Sequence, residues 1–82
     1  MYCSISGFGD RGSKRTFPAF DNLIQAETGF MHLTGDAGGE PFKLGFAIAD
    51  VVTSLYASNA VLAGLIYQAE KGEGIHLKTS LY

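Results

Sequence analysis

FAIADVVTSLYASNAVLAGLIYQA, residues 46–69, is one run of apolar and small residues that reads as the main helix of the chain. Asp50 is the sole formally charged side chain between Leu44 and Ala69. Ile48, Val51, Val52, Leu55, Leu62 and Ile66 fall on one broad side, whereas Ala57, Ala60, Ala63 and Gly64 permit close approach. Such a helix expects a neighbour. A lone carboxylate near its start either caps the helix or is a reactive group held away from bulk water.

Working outward, Glu70-Lys71-Gly72-Glu73-Gly74 stops the helix with glycine, and residues 75–80, IHLKTS, alternate as a strand. On the other side, Tyr2-Cys3-Ser4-Ile5-Ser6-Gly7-Phe8 is β-prone and ends at Gly7 and Gly9. Residues 9–16 lack periodicity and lead through Pro18 into a helix predicted over residues 20–31, with Asp21 in its first turn and Gly29 or Gly35 at its end. Residues 35–41, GDAGGEP, read as a turn. A phosphate cradle would need Gly-Lys-Ser/Thr entering a helix, and two acidic residues would repel phosphate. The order is β-helix-helix-β, which implies parallel strands and a right-handed crossover. Two strands and a long apolar helix do not make a self-sufficient core. Residues 1–82 are therefore expected to be a single incomplete segment of a larger α/β protein.

Composition narrows the partners. Six basic against eight acidic residues give a net charge of −2, with no basic cluster longer than Lys14-Arg15, which argues against nucleic acid. No basic region followed by an apolar core opens the sequence, so no secretory leader is expected. Residues 44–69 are long enough to span a bilayer, but Asp50, Thr53, Ser54, Ser58, Asn59 and Gln68 favour a buried or interface helix over a membrane span. Cys3 is alone, which fits a reducing interior, and neither His32 nor His76 has a second ligand at metal spacing. Neither disulfide nor metal is available as a staple. Cys3 and both histidines are read as structural, because no cation lies beside Cys3 in sequence and no orienting carboxylate beside either histidine.

Two carboxylates are left for chemistry. Asp50 lies where unpaired backbone N–H groups and the helix dipole stabilise an anion, and an ionised, partly desolvated carboxylate is a competent nucleophile toward activated acyl groups. On the residue pattern, capping and reactivity both stay open. Asp21 carries the same two readings in the shorter helix.

These residues carry a resemblance. Ser4-Ile5-Ser6-Gly7-Phe8-Gly9, Pro18-Ala19-Phe20-Asp21 with Gln25-Ala26, Gly29-Phe30-Met31-His32-Leu33-Thr34-Gly35, Ile48-Ala49-Asp50 and Lys71-Gly72-Glu73-Gly74 are, in this order, similar to the class III CoA-transferase family. That group includes formyl-CoA transferase, carnitine CoA-transferase and, as a relative, α-methylacyl-CoA racemase. The succinyl-CoA:glutarate type is the most similar, through Gly29-Phe30-Met31-His32 and Leu55-Tyr56-Ala57. The resemblance implies a segment of a Rossmann-like fold that forms interlocked homodimers. It also implies transfer of CoA from a thioester to a small carboxylic acid, with Asp50 as the catalytic nucleophile passing through aspartyl anhydride and aspartyl-CoA thioester.

Coenzyme A thioester is then a substrate, with no tightly bound cofactor and no metal. A cytoplasmic setting is expected, or the mitochondrial matrix in a eukaryote. Phe20 and Asp21 match an aromatic-acidic pair close to substrate or CoA. Phe20 cannot move a proton, which argues against racemase chemistry. The sequence departs from the family pattern in its last strand, at Ile75-His76, Lys78 and Leu81-Tyr82, and at Asn59 on the helix. The competing reading is a non-catalytic truncated remnant or interaction module docking through its apolar helix.

Overall fold

The computed structural model describes residues 1–82. Strand β1 (Tyr2–Ser6) leads into a loop and helix α1 (Asp21–Glu27), a short 3-10 turn follows at Phe30–Leu33, and helix α2 (Ile48–Lys71) returns the chain to strand β2 (His76–Ser80). The two strands pair in parallel, with Tyr2 opposite His76 and Ser6 opposite Ser80. This is the β-helix-helix-β order expected from the sequence. Because α2 connects parallel strands, its N-terminal end lies at their carboxyl ends.

α1 is shorter than its spacing predicts. Gly29 adopts φ +79, and the chain tightens into the 3-10 turn that holds Phe30 and Met31. A residue with a side chain is strained in that region, so glycine ends the helix where the backbone must reverse its hand. Gly72, φ +70, ends α2 in the same way, its N–H donating to the Gln68 carbonyl at 2.8 Å. Residues 35–41 form a turn, with Gly35 and Gly38 at positive φ and the Gly39 N–H donating to the Asp36 carbonyl.

Helix α2 presents to the sheet the side opposite to the one that its large apolar residues suggest. The buried positions are Thr53, Ala57 and Gly64, whereas Val51, Leu55, Leu62 and Ile66 stay exposed. Small residues let the helix backbone settle close to the strands. A Cβ built on Gly64 would lie 3.1 Å from Leu77 Cδ1 and 3.1 Å from Met1 Sδ. Cys3, half-buried, lies on this inner side with Ile5, Ala57 and Val61. The outer face of the sheet is polar: Ser4 Oγ and His76 Nε2 are hydrogen-bonded at 2.7 Å, and the His76 ring meets Tyr2 edge-on.

Asp10, just beyond β1, pairs with Lys78 on β2. The Lys78 ammonium holds its carboxyl below the usual range by hydrogen bonding and charge. Stability from this pair is therefore present above the ordinary carboxylate pKa and is lost as pH falls through the lowered value.

Only five residues are buried, and Ile24 and Ala57 are the apolar ones. Full burial of a side chain such as Ile24 contributes about 1.5–3 kcal/mol, while ordering each residue's backbone costs about 1–2 kcal/mol. A core of this size does not offset that cost across the chain. By length and composition alone, α2 is also long and apolar enough to cross a membrane. In this fold it serves as the crossover helix of a parallel strand pair.

Candidate active site

Asp50 is the third residue of α2 and its side chain is exposed. It lies on an open groove of about 360 Å³, shared with Ser6 at the end of β1 and Gly7 just past it, Leu81 past the end of β2, and Ala19 in the segment entering α1. Open α/β sheets place their ligands at this end, outside the carboxyl ends of the strands. The groove is lined by no histidine, lysine or arginine.

Two expectations are corrected here. Asp50 does not cap α2: the N-cap residue is Ala47, and no side chain of that residue or its own first turn closes the helix. Nor is Asp50 held away from water within these residues, because the groove beside it stands open. What the sequence does provide is a first-turn carboxylate, near the partial positive charge of a 24-residue helix.

The cap comes from the other helix. Asp21 Oδ1 accepts the backbone N–H of Asp50 at 3.0 Å. That satisfies one of the N–H groups a helix start leaves without a partner. Asp21 is thus not the cap of its own helix, where Phe20 is the N-cap residue and caps nothing with its side chain. Its other oxygen, Oδ2, accepts from Gln25 Nε2 at 2.6 Å, and Gln25 Oε1 in turn accepts the Leu44 N–H at 3.0 Å. Gln25 is 1% exposed, the least accessible side chain in the chain.

The three predicted site residues therefore divide. Asp21 and Asp50 are joined through the Asp50 amide. Phe20 is 73% exposed and does not line the groove, although its neighbour Ala19 does. The sequence alone does not mark Gln25 as a site residue. Its i,i+4 relation to Asp21 on a helix is a signal for that pair, but the Leu44 amide reaches it only through the fold. No three His, Cys, Asp or Glu side chains converge in a metal-holding group.

Gly7 links this geometry to the backbone. A Cβ on it would come within 2.5 Å of Ala19 Cβ, an atom that cannot swing away. Gly7→Ala must push apart the strand end and the segment that carries Phe20 and Asp21. In a complete protein carrying these residues, kcat is expected to fall roughly 10- to 100-fold, checked by steady-state kinetics beside a thermal melt. Unchanged kcat would show that the Ala19 contact does not set the site.

The chain belongs to CoA-transferase family III, which it matches over residues 1–82. It is 42% identical to the succinate–glutarate CoA-transferase of Agrobacterium fabrum, over 99% of this chain and 20% of that protein. It is 38% identical to human succinyl-CoA:glutarate CoA-transferase, over 99% of this chain and 18% of that one. The crystal structure of a CAIB/BAIF family protein from Brucella suis superposes with a TM-score of 0.94 at 42% identity, covering 99% of this chain and 21% of the other. The chain thus spans about one fifth of the length of these relatives.

Proposed function

We propose that these residues carry the nucleophile of an enzyme that moves CoA from an acyl-CoA thioester to a small carboxylic acid. The observation that carries this reading is the placement of Asp50: a first-turn carboxylate, on a groove at the carboxyl ends of parallel strands, with no proton-transfer side chain lining it.

The chemistry needs little else from this segment. The Asp50 carboxylate attacks the thioester carbonyl, forming an aspartyl acyl anhydride and releasing CoA thiolate. The thiolate attacks the aspartyl carbonyl, giving an aspartyl-CoA thioester and the donor acid. The acceptor carboxylate then attacks that thioester, re-forming an anhydride and CoA thiolate. Attack of the thiolate on the acceptor's acyl carbonyl releases the new acyl-CoA and regenerates the Asp50 carboxylate. Each step exchanges carboxylate and thiolate leaving groups, so no general base is required. CoA enters as substrate, not as a resident cofactor.

An anhydride must be shielded from water. Asp50 is exposed here, so the shield, the donors for the tetrahedral oxyanion and the CoA pocket belong to the remainder of the enzyme, a Rossmann-like homodimer with interlocked subunits. The names of the relatives support a dicarboxylate such as glutarate or succinate as the acid. The 82-residue chain alone is accordingly expected to show no transfer when incubated with an acyl-CoA and an acid. Measurable turnover from it would overturn the division of labour proposed here.

A second reading, a non-catalytic module docking through α2, draws on the exposed Leu55, Leu62 and Ile66. Trapping with hydroxylamine separates the two in a complete protein carrying these residues. An Asp50 hydroxamate formed only in the presence of acyl-CoA supports the transferase. A protein that binds no acyl-CoA and forms no adduct supports the module.

A further inference from the structure

We infer that Gln25 is a positioning residue for the transfer reaction: acting through Asp21, it holds the first turn of α2, and with it the Asp50 carboxylate, in place at the strand ends. The catalytic half of this inference rests on the reading of Asp50 as the nucleophile.

Three observations carry it. First, α2 starts at an alanine N-cap, which offers its own helix nothing. The Asp21 carboxylate, from α1, supplies the missing acceptor at the Asp50 N–H. Second, Gln25 holds that carboxylate by its other oxygen and also takes the N–H of Leu44, on the approach to α2. α1 therefore grips α2 on both sides of Ala47. Third, Gln25 is 1% exposed, so neither end of its amide has water as a substitute partner.

The donors and acceptors fit in only one pattern. The line of contacts begins and ends with a backbone N–H, from Leu44 at one end and Asp50 at the other. Two donors at the ends require one carboxylate and one amide between them. With two amides, a pair of NH₂ groups, or an NH₂ and an N–H, must face each other whichever way the amides are flipped. With two ionised carboxylates, two acceptors face each other. Asp21→Asn and Gln25→Glu are therefore each mismatched alone. Together they restore all three hydrogen bonds with the amide and the carboxylate exchanged. A residue that merely filled space would not obey this parity.

The test uses the parent, both single variants and the exchanged pair. In a complete protein carrying these residues, each single variant is expected to speed hydrogen exchange at the Asp50 amide roughly 10-fold or more. The pair is expected to return it to within about threefold of the parent. In a complete CoA-transferase carrying these residues, each single variant is expected to lower kcat roughly 10- to 100-fold with little change in KM, and the pair to recover most of the loss. Closing the relay with a proton gives an independent signature: the Gln25→Glu variant is expected to gain kcat relative to the parent as pH falls, since a protonated carboxyl donates to Asp21 as the amide does, while the need for an ionised Asp50 is common to both.

Single variants that leave Asp50 exchange unchanged, or a pair no better than the worse single, overturn the relay. Unchanged kcat in the single variants overturns its catalytic half. A complete parent protein that transfers nothing removes the nucleophile reading, while the exchange measurements still decide the relay.

Discussion

Asp50→Asn, made in a complete CoA-transferase carrying these residues, is expected to lower transfer at least about 10⁴-fold, the scale seen when a covalent nucleophile is removed. Asparagine keeps the backbone N–H that Asp21 holds, and a side chain of the same size in the same groove. What it loses is the carboxylate that attacks the thioester. The amide is a poor nucleophile, no second carboxylate lines the groove, and the Ser6, Thr53 and Ser54 hydroxyls there have no histidine or lysine lining it to activate them. Intact-mass measurement after mixing with acyl-CoA reads the same point without turnover, since the parent acquires a CoA-sized adduct and the variant stays at its own mass. A variant retaining a tenth of the parent's rate would remove Asp50 from covalent chemistry.

Gly64→Leu is expected to have the largest effect on stability. Gly64 is buried where α2 crosses the strands, and even a Cβ there would touch Leu77, Met1 and, at 3.4 Å, Ile75 Cγ2. Three further carbons have no space without lifting the helix from the sheet. Overpacking of this kind costs about 1–3 kcal/mol, sometimes more. The gain from replacing a helical glycine returns only about 1 kcal/mol or less. Gly64→Ala is the control. Its methyl meets the far ends of flexible side chains, so the helix gain and the tight contact nearly cancel. Denaturant midpoints for the parent and both variants of a complete protein carrying these residues check the order, and a Gly64→Leu midpoint equal to the parent's would show that α2 does not dock through Gly64.

The element order was legible because glycine and proline punctuate it: Gly72 and Gly74 end one helix, Pro18 precedes the other, and apolar alternation marks the strands. The parallel pairing followed from chain order alone. Which side of α2 faces the sheet did not follow. Leu55, Leu62 and Ile66 dominate any count of hydrophobicity, yet the strands lie against Thr53, Ala57 and Gly64, because small residues permit the closest backbone approach. The sequence pattern shows that a helix has two usable sides, not which partner takes each.

At the site, Asp50 stood out because it is isolated in an apolar run. Its relation to Asp21 did not stand out, because a side chain capping a different helix leaves no local spacing to read. The sequence offers Asp50, the nearest carboxylate, as one possible cap, whereas the fold supplies the cap from 29 residues away. Gln25 is similar: half of its role is written at i,i+4, and the other half needs Leu44 brought to it by the turn at residues 35–41.

The parallel register has a consequence for synthesis. Tyr2 pairs with His76 and Ser6 with Ser80, so β1 cannot pair with β2 until almost the whole segment has left the ribosome. At about 5–20 residues per second, α2 is complete about half a second to two seconds before β2 exists to fix the sheet beneath it. For that interval the nascent chain carries both sides of an apolar helix in water. Contacts this distant in sequence are slow to close, and a pause in translation after α2 would lengthen the time in which a chaperone, or a second nascent chain, can reach it first.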